Sequence, residues 1–316
     1  MSCFPPGYRI GHHTDGKRRT GCTVILPPPG TTAAVDVRGG APGTRETGVF
    51  TPGNLVSEIH GLLFAGGSAF GLAAATGVAS WLRGRGVGFR VGRARVPIVA
   101  AAVLFDLAVG DADAYPGEEE GFAACEAARE GEIETGPVGA GAGATVGKLF
   151  GAGRAARGGV GCAALDVFGG HRVAALAAVN AFGDVVDAET GTPIAGPSGE
   201  SSAFRSANAL WRESLTDSPL AGANTTLVCV VSTVPFDEGA LKRVAIEAHD
   251  GLARAVRPAH TVVDGDTVFA LAPAGSKPAL ATRLRIGAAA AEAVARAIVD
   301  AVGHRTPAAG GSGTGR

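Results

Sequence analysis

The sequence reads as an α+β fold, on three observations. Short apolar runs rich in valine, such as residues 172–180 and 226–234, have the length and composition of buried strands. The segments that begin at Asp237 and Ile286 instead place their apolar residues on one side of a helix. Glycine and proline, 50 and 18 of the 316 residues, punctuate the chain between these runs and call for many turns.

Taken in order, residues 21–26 and 32–37 read as strands. Pro27-Pro28-Pro29-Gly30 forces a turn between them, so an early hairpin is expected. Residues 38–43 carry too much Gly and Pro for a regular element, and Pro52-Gly53-Asn54 precedes a short helical pattern through Leu55 and Ile59. Between His60 and Arg83 lie 22 uncharged residues, long enough to span a bilayer. Gly61, Gly66, Gly67, Gly71 and Gly77 dilute their hydrophobicity, so the segment reads as a buried loop and a helix to about Trp81.

Val96 to Phe105 is a strand closed by Asp106. Residues 116–130 suit a helix, with Glu118, Glu119 and Glu120 early, Arg129 late, and Phe122, Ala123 and Cys125 as its inner face. Runs at 159–167, 172–180 and 183–188 predict an antiparallel meander. Residues 192–222 turn polar and loop-like, long enough to be functional or flexible. After the 226–234 strand, a helix presents Leu241, Val244, Ala245, Ala248 and Leu252 on one face until Pro258 breaks the pattern. Asp264-Gly265-Asp266 leads into a strand at 267–271. An Ala-rich helix then runs from Ile286 to Val302, with Glu292, Arg296 and Asp300 on its polar side. Residues 305–316 are a disordered tail by composition, no repeat of fixed period is present, and the length allows one large domain or two.

Composition narrows the function classes. A net charge of −1 gives no electrostatic basis for binding nucleic acid or an anionic membrane. Aromatic residues, at 5%, are too few for an aromatic-lined cleft. Cys3, Cys22, Cys125, Cys162 and Cys229 are odd in number and widely spaced, which predicts a reducing compartment with neither a disulfide framework nor a zinc site. The neighbours His12 and His13 read as surface or packing residues. With no basic-then-apolar start, no signal peptide is indicated and a cytoplasmic protein is expected.

Cofactor motifs fail on inspection. The glycine-rich run from Gly136 to Arg154 has Ala142 and Leu149 where a phosphate loop needs Gly and Ser or Thr. Ala144 and Val146 fall where a dinucleotide fingerprint needs its last Gly. Gly66-Gly67-Ser68-Ala69-Phe70 misses the serine-hydrolase elbow by one position, and Asp264-Gly265-Asp266 does not continue as a calcium loop. No cofactor is therefore expected.

The chain's chemistry centres on Gly222-Ala223-Asn224-Thr225-Thr226-Leu227, where a loop enters a strand. Thr225 and Thr226 either simply begin that strand, as threonine often does, or supply a nucleophile whose amine is freed by cutting the Asn224–Thr225 bond. Polar residues in apolar surroundings add three places of interest: Asn180 at the end of an apolar run, Lys148 as the one cation between Gly131 and Gly153, and the Asp264/Asp266 pair. A turn-capping amide, a snorkelling lysine and an Asp-Gly turn are the structural alternatives.

Asn224-Thr225-Thr226-Leu227, followed 39 residues after Thr225 by Asp264-Gly265-Asp266-Thr267-Val268-Phe269-Ala270, resembles the L-aminopeptidase/D-Ala-esterase/amidase family. Ala65-Gly66-Gly67-Ser68-Ala69-Phe70-Gly71-Leu72 and the run Gly139–Lys148 also match, in the same order, from about Gly7 to Val302. That family includes β-peptidyl aminopeptidases and the nylon-oligomer hydrolase. The resemblance implies a four-layer αββα sandwich, with two packed mixed sheets and helices on both outer faces. It also implies self-cleavage between Asn224 and Thr225, giving an α chain of residues 1–224 and a β chain of 225–316. Scaling 31.2 kDa by 224/316 makes these about 22 and about 9 kDa.

The resemblance further implies a homotetramer of such pairs acting on small peptides or amides, with Thr225 as nucleophile. Asp264 and Asp266 would hydrogen-bond its hydroxyl and amine, Lys148 would supply positive charge, and Asn180 an oxyanion-stabilising amide. By the same resemblance, Phe105 and Phe70 would line the substrate pocket where the nylon-oligomer hydrolase has tyrosines. Two alternatives stay open: an acyltransferase of the ornithine-acetyltransferase kind, and a non-catalytic protein of the same fold. The sequence leaves open whether Glu46, Glu58 or another acid binds a substrate amine.

Overall fold

The computed structural model describes residues 2–197 and 224–303. Within them the chain is mixed α+β, with two five-stranded sheets and four α-helices. The principal strands are β1 (Arg9–Asp15), β2 (Thr20–Leu26), β3 (Thr31–Val37), β4 (Thr44–Arg45), β5 (Gly61–Ala65), β6 (Val99–Val103), β7 (Gly159–Asp166), β8 (Arg172–Asn180), β9 (Thr225–Ser232) and β10 (Thr267–Pro273). The helices are α1 (Ala74–Gly84), α2 (Glu118–Ala127), α3 (Glu238–Ala255) and α4 (Leu280–Gly303).

The first sheet has the order β1-β2-β5-β6-β4 and the second β7-β8-β9-β10-β3. Each is mixed, with one parallel pair at its centre: β5 with β6, and β9 with β10. Leu227, Cys229 and Val231 of β9 join Ile25, Leu62, Phe64 and Phe269 in a core drawn from both sheets. Val228 and Val230, on the other face of β9, pack with Leu241, Val244, Val294 and Ile298 of α3 and α4. Burial on both faces explains why this strand is uninterrupted apolar in sequence. A third cluster sets Val24, Leu63 and Val99 against Val78, Trp81 and Leu82 of α1 and Cys125 of α2.

Several expectations are corrected. Residues 21–26 and 32–37 do not form a hairpin. Three successive prolines fix the backbone and remove three donors, and the link carries the chain from one sheet to the edge of the other. There β3 pairs with β10, Thr31 opposite Pro273 and Val37 opposite Thr267. The partner of β2 is β1, a strand with little apolar signal that is held along its whole length, from Arg9 opposite Leu26 to Asp15 opposite Thr20.

No helix forms at 55–59, where Leu55 is 89% exposed; one turn cannot offset the cost of nucleation. The meander stops at two strands, because Asp184–Val186 pairs instead with 193–195 and 256–257, and β9 takes the place beside β8. The inner face of α2 is Gly121, Ala124 and Cys125, while Phe122 and Ala123 face outward. Gly121 is needed there: a Cβ on it would lie 1.9 Å from the Ala74 carbonyl oxygen of α1.

Cys3 is disulfide-bonded to Cys162 on β7, which corrects the expectation of unpaired thiols. A separation of 159 residues leaves no spacing for sequence reading to detect. Cys22, Cys125 and Cys229 are buried free thiols. The 237 helix shows the predicted face and is capped by the Asp237 side chain, which accepts from Ala240 N–H. The last helix begins at Leu280, ahead of Ile286. Most of the 192–222 loop and the 305–316 tail lie outside the described residues. Among the described residues, no helix is long and apolar enough to cross a membrane.

Candidate active site

Thr225 is the first residue of β9, and the antiparallel register of β8 sets Asn180 directly opposite it. Both are buried, Asn180 completely. The Asn180 side chain joins three segments. Its Oδ1 accepts from the Thr145 N–H at 2.9 Å and from Lys148 Nζ at 2.8 Å, and its Nδ2 donates to the Phe105 carbonyl at 2.9 Å. Lys148 Nζ donates also to the Asn180 carbonyl at 2.9 Å. The glycine-rich run around 139–148 therefore delivers a lysine and a backbone amide to the strand end.

The Asp264-Gly265-Asp266 turn lies on the other side of Thr225, placed there by the parallel pairing of β9 with β10. Asn224 bridges to Asp264, and the Gly265 N–H donates to the Asn224 carbonyl at 2.8 Å. The Thr225 hydroxyl contacts that same carbonyl oxygen. A Cβ on Gly265 would fall 2.6 Å from Thr225 Oγ1, so the turn needs glycine to admit the hydroxyl. From behind, the Arg38 and Gly39 amides donate to the Asp266 carbonyl and Ala41 donates to that of Asp264. The 38–43 segment, irregular by composition, thus clamps the turn in place.

The two carboxylates are held differently. Asp264 Oδ1 accepts from the Phe182 N–H at 3.2 Å, and Oδ2 from the Thr261 amide and hydroxyl. Asp266 Oδ1 accepts from the Thr226 N–H at 2.8 Å, and Oδ2 from the amide and Nδ1 of His260, both at 2.9 Å. Burial, and then the like charge of Asp266, push Asp264 up to about 6. Burial pushes Lys148 down to about 7, against the pull of Asp264 and Asp106. A cation and a carboxylate that both titrate near neutrality, beside a buried hydroxyl, are the kind of site at which protons can be moved at ordinary pH.

The structure thus gathers Thr225, Asn180, Lys148, Asp264 and Asp266, with Asn224 at the bond in question. Phe105 joins through its carbonyl. Phe70 is 60% exposed and stacks on Tyr115, ring centroids 5.3 Å apart. Glu58 accepts from Gly30 N–H just before β5, whereas Phe105 and Asp106 follow the far end of its parallel neighbour β6. Asp106, Gly265 and His260 were given no role in the site by the sequence alone. Asp106, taken as a strand terminator, is buried and accepts from the Gly67 N–H at 2.7 Å, with burial raising its carboxyl. An acid directly after an apolar strand was its only signal.

The model of peptidase family S58 matches residues 6–315. The chain belongs to peptidase family S58. It is 42% identical to an aminopeptidase of Mycobacterium tuberculosis described as uncharacterized, over 96% of this chain and 94% of that protein. To the 6-aminohexanoate-oligomer endohydrolase of Agromyces sp. (strain KY5R) it is 34% identical, over 84% of this chain and 73% of that one. The fold is similar to that of a Burkholderia sp. beta-aminopeptidase, with a TM-score of 0.70, 22% identity, and coverage of 94% of this chain and 84% of that chain. It is similar also to the L-aminopeptidase D-Ala-esterase/amidase of Ochrobactrum anthropi, whose structure is titled a new variant among the Ntn hydrolase fold. There the TM-score is 0.70 and the identity 18%, over 93% of this chain and 83% of that chain. This S58 member is a hydrolase acting on amide or peptide bonds, and the geometry around Thr225 is where that chemistry is sought.

Proposed function

We propose that the protein is a self-processing amidase or aminopeptidase whose nucleophile is Thr225. The observation that carries this reading is the convergence on one peptide bond. The Thr225 hydroxyl and the Gly265 N–H both meet the carbonyl oxygen of Asn224. In the first step Thr225 Oγ attacks the Asn224 carbonyl carbon and the C–N bond breaks, leaving an ester and the Thr225 amine. Water then hydrolyses the ester to the Asn224 carboxylate and restores the hydroxyl. The Gly265 N–H is placed to stabilise charge developing on that oxygen.

A threonine hydroxyl is a weak nucleophile without a base, and the released α-amine, with a reference pKa of about 7.7–8.0, lies a few bonds away. It takes the hydroxyl proton as Oγ attacks a substrate amide carbonyl and passes it to the leaving amine. Water then resolves the acyl-enzyme. Asp264 and Asp266 hold the hydroxyl and amine, Lys148 supplies positive charge, and Asn180 an amide for the oxyanion. The turn's hydrogen bonds to residues 224 and 226, on either side of Thr225, support setting the two carboxylates beside it.

The same reading takes residues 1–304 as one αββα domain, cut into chains of 1–224 and 225–316. The core drawn from both sheets and the helices packed on each sheet support it. Small peptides or amides are the substrates, with a homotetramer of heterodimers as the assembly. Release of p-nitroaniline from amino-acid anilides by the wild type and not by Thr225→Ala tests the reading; equal release by both overturns it. Amino-terminal sequencing of the small chain distinguishes Thr225 from Thr226.

A further inference from the structure

Each oxygen of the Asp266 carboxylate is gripped by a different part of the fold. Oδ1 accepts from Thr226, one residue past the proposed nucleophile; Oδ2 accepts from both the amide and the ring of His260. A carboxylate only accepts, so the ring hydrogen sits on His260 Nδ1. His260 adopts φ 56°, in the left-handed region, which turns its amide and its ring to the same oxygen. The ring is braced from behind by His249 of α3, met edge-on with centroids 4.7 Å apart. His249 is fully buried, and its Nε2 donates to the Asp36 carbonyl at 3.1 Å. Asp36 is itself held by Lys242 and Arg38.

We infer that His260 is a positioning residue for the Thr225 site, fixing the Asp266 carboxylate so that its other oxygen holds the Thr225–Thr226 backbone in register with Gly265. This rests on the proposed reading of Thr225. Without the Nδ1–H, Oδ2 keeps only the His260 amide, and the carboxylate is held less firmly in its orientation. Displacements of about 1 Å in such a site cost on the order of a hundredfold in rate. The Asp266 turn also carries the Gly265 N–H, so His260 acts on self-cleavage itself, a reaction that needs no added substrate.

The test uses the full chain, freshly translated, with appearance of the 225–316 fragment followed by intact mass. His260→Gly keeps the left-handed backbone and loses the donor; His260→Asn tolerates the same backbone and keeps an N–H near the Nδ1 position. We expect the glycine variant to cleave about tenfold or more slowly than wild type and the asparagine variant to recover to within about threefold. A glycine variant that cleaves at the wild-type rate overturns the inference, as does an asparagine variant as slow as the glycine one. Thr225→Ala is run alongside. If it still cleaves, the reading of Thr225 falls and takes this inference with it, whereas an uncleaved Thr225→Ala beside an unaffected His260→Gly removes the inference alone.

Discussion

The Gly265 N–H lies 2.8 Å from the carbonyl oxygen of Asn224, and a side chain on Gly265 would meet Thr225 Oγ1 at 2.6 Å. One residue therefore both polarises the bond proposed to break and leaves room for the hydroxyl proposed to break it. Gly265→Ala keeps the amide but drives its methyl group against the hydroxyl. Self-cleavage should slow by about tenfold or more, read as persistence of the uncut chain by intact mass. Cleavage at the wild-type rate would remove Gly265 from the account.

Thr225→Ala should leave an uncut chain with hydrolysis lowered by at least about a thousandfold, since it removes the attacking oxygen. Thr225→Ser should retain both reactions. Fragment masses and anilide hydrolysis report the two steps separately.

Asn180 carries structure as well as chemistry. Asn180→Ala removes the acceptor shared by the Thr145 N–H and Lys148 Nζ and the donor to Phe105. Leaving those buried groups without this partner should cost about 1–3 kcal/mol of stability, measured by urea unfolding with the slope unchanged. A variant as stable as wild type would show that the amide holds nothing in place.

Asp264 sets the expected pH dependence. Burial and the charge of Asp266 raise it to about 6, so hydrolysis that needs it as an acceptor rises with pH through about 6. Asp266→Asn removes the like charge and should move that midpoint down even as turnover falls. For stability the sign is reversed. The folded carboxyl keeps its proton up to about 6, while the unfolded one loses it near 3.8, so this group's contribution declines as pH climbs between the two. A pH–rate profile of wild type and Asp266→Asn checks the first statement, and melting curves from pH 4 to 6 check the second.

Much of the fold was legible because local pattern and final burial coincide. The helix after Asp237 and the strand at β9 carry their periodicity and their apolar run in full view. Pairing was not legible. Pro27-Pro28-Pro29 marks a break without saying that the next strand belongs to another sheet, and β1 is a strand only because β2 lies beside it. In the site, Asn180, Lys148 and the two aspartates stood out as polar residues in apolar company. His260 did not, because its partner Asp266 reaches it through a left-handed turn that leaves no mark in composition. Cys3 and Cys162 were hidden by distance along the chain.

Intact mass of the purified protein tests the central claim most directly. The account predicts two species, residues 1–224 at about 22 kDa and residues 225–316 at about 9 kDa, by scaling 31.2 kDa with length. A single unbroken 316-residue chain that nonetheless hydrolyses amides would contradict it.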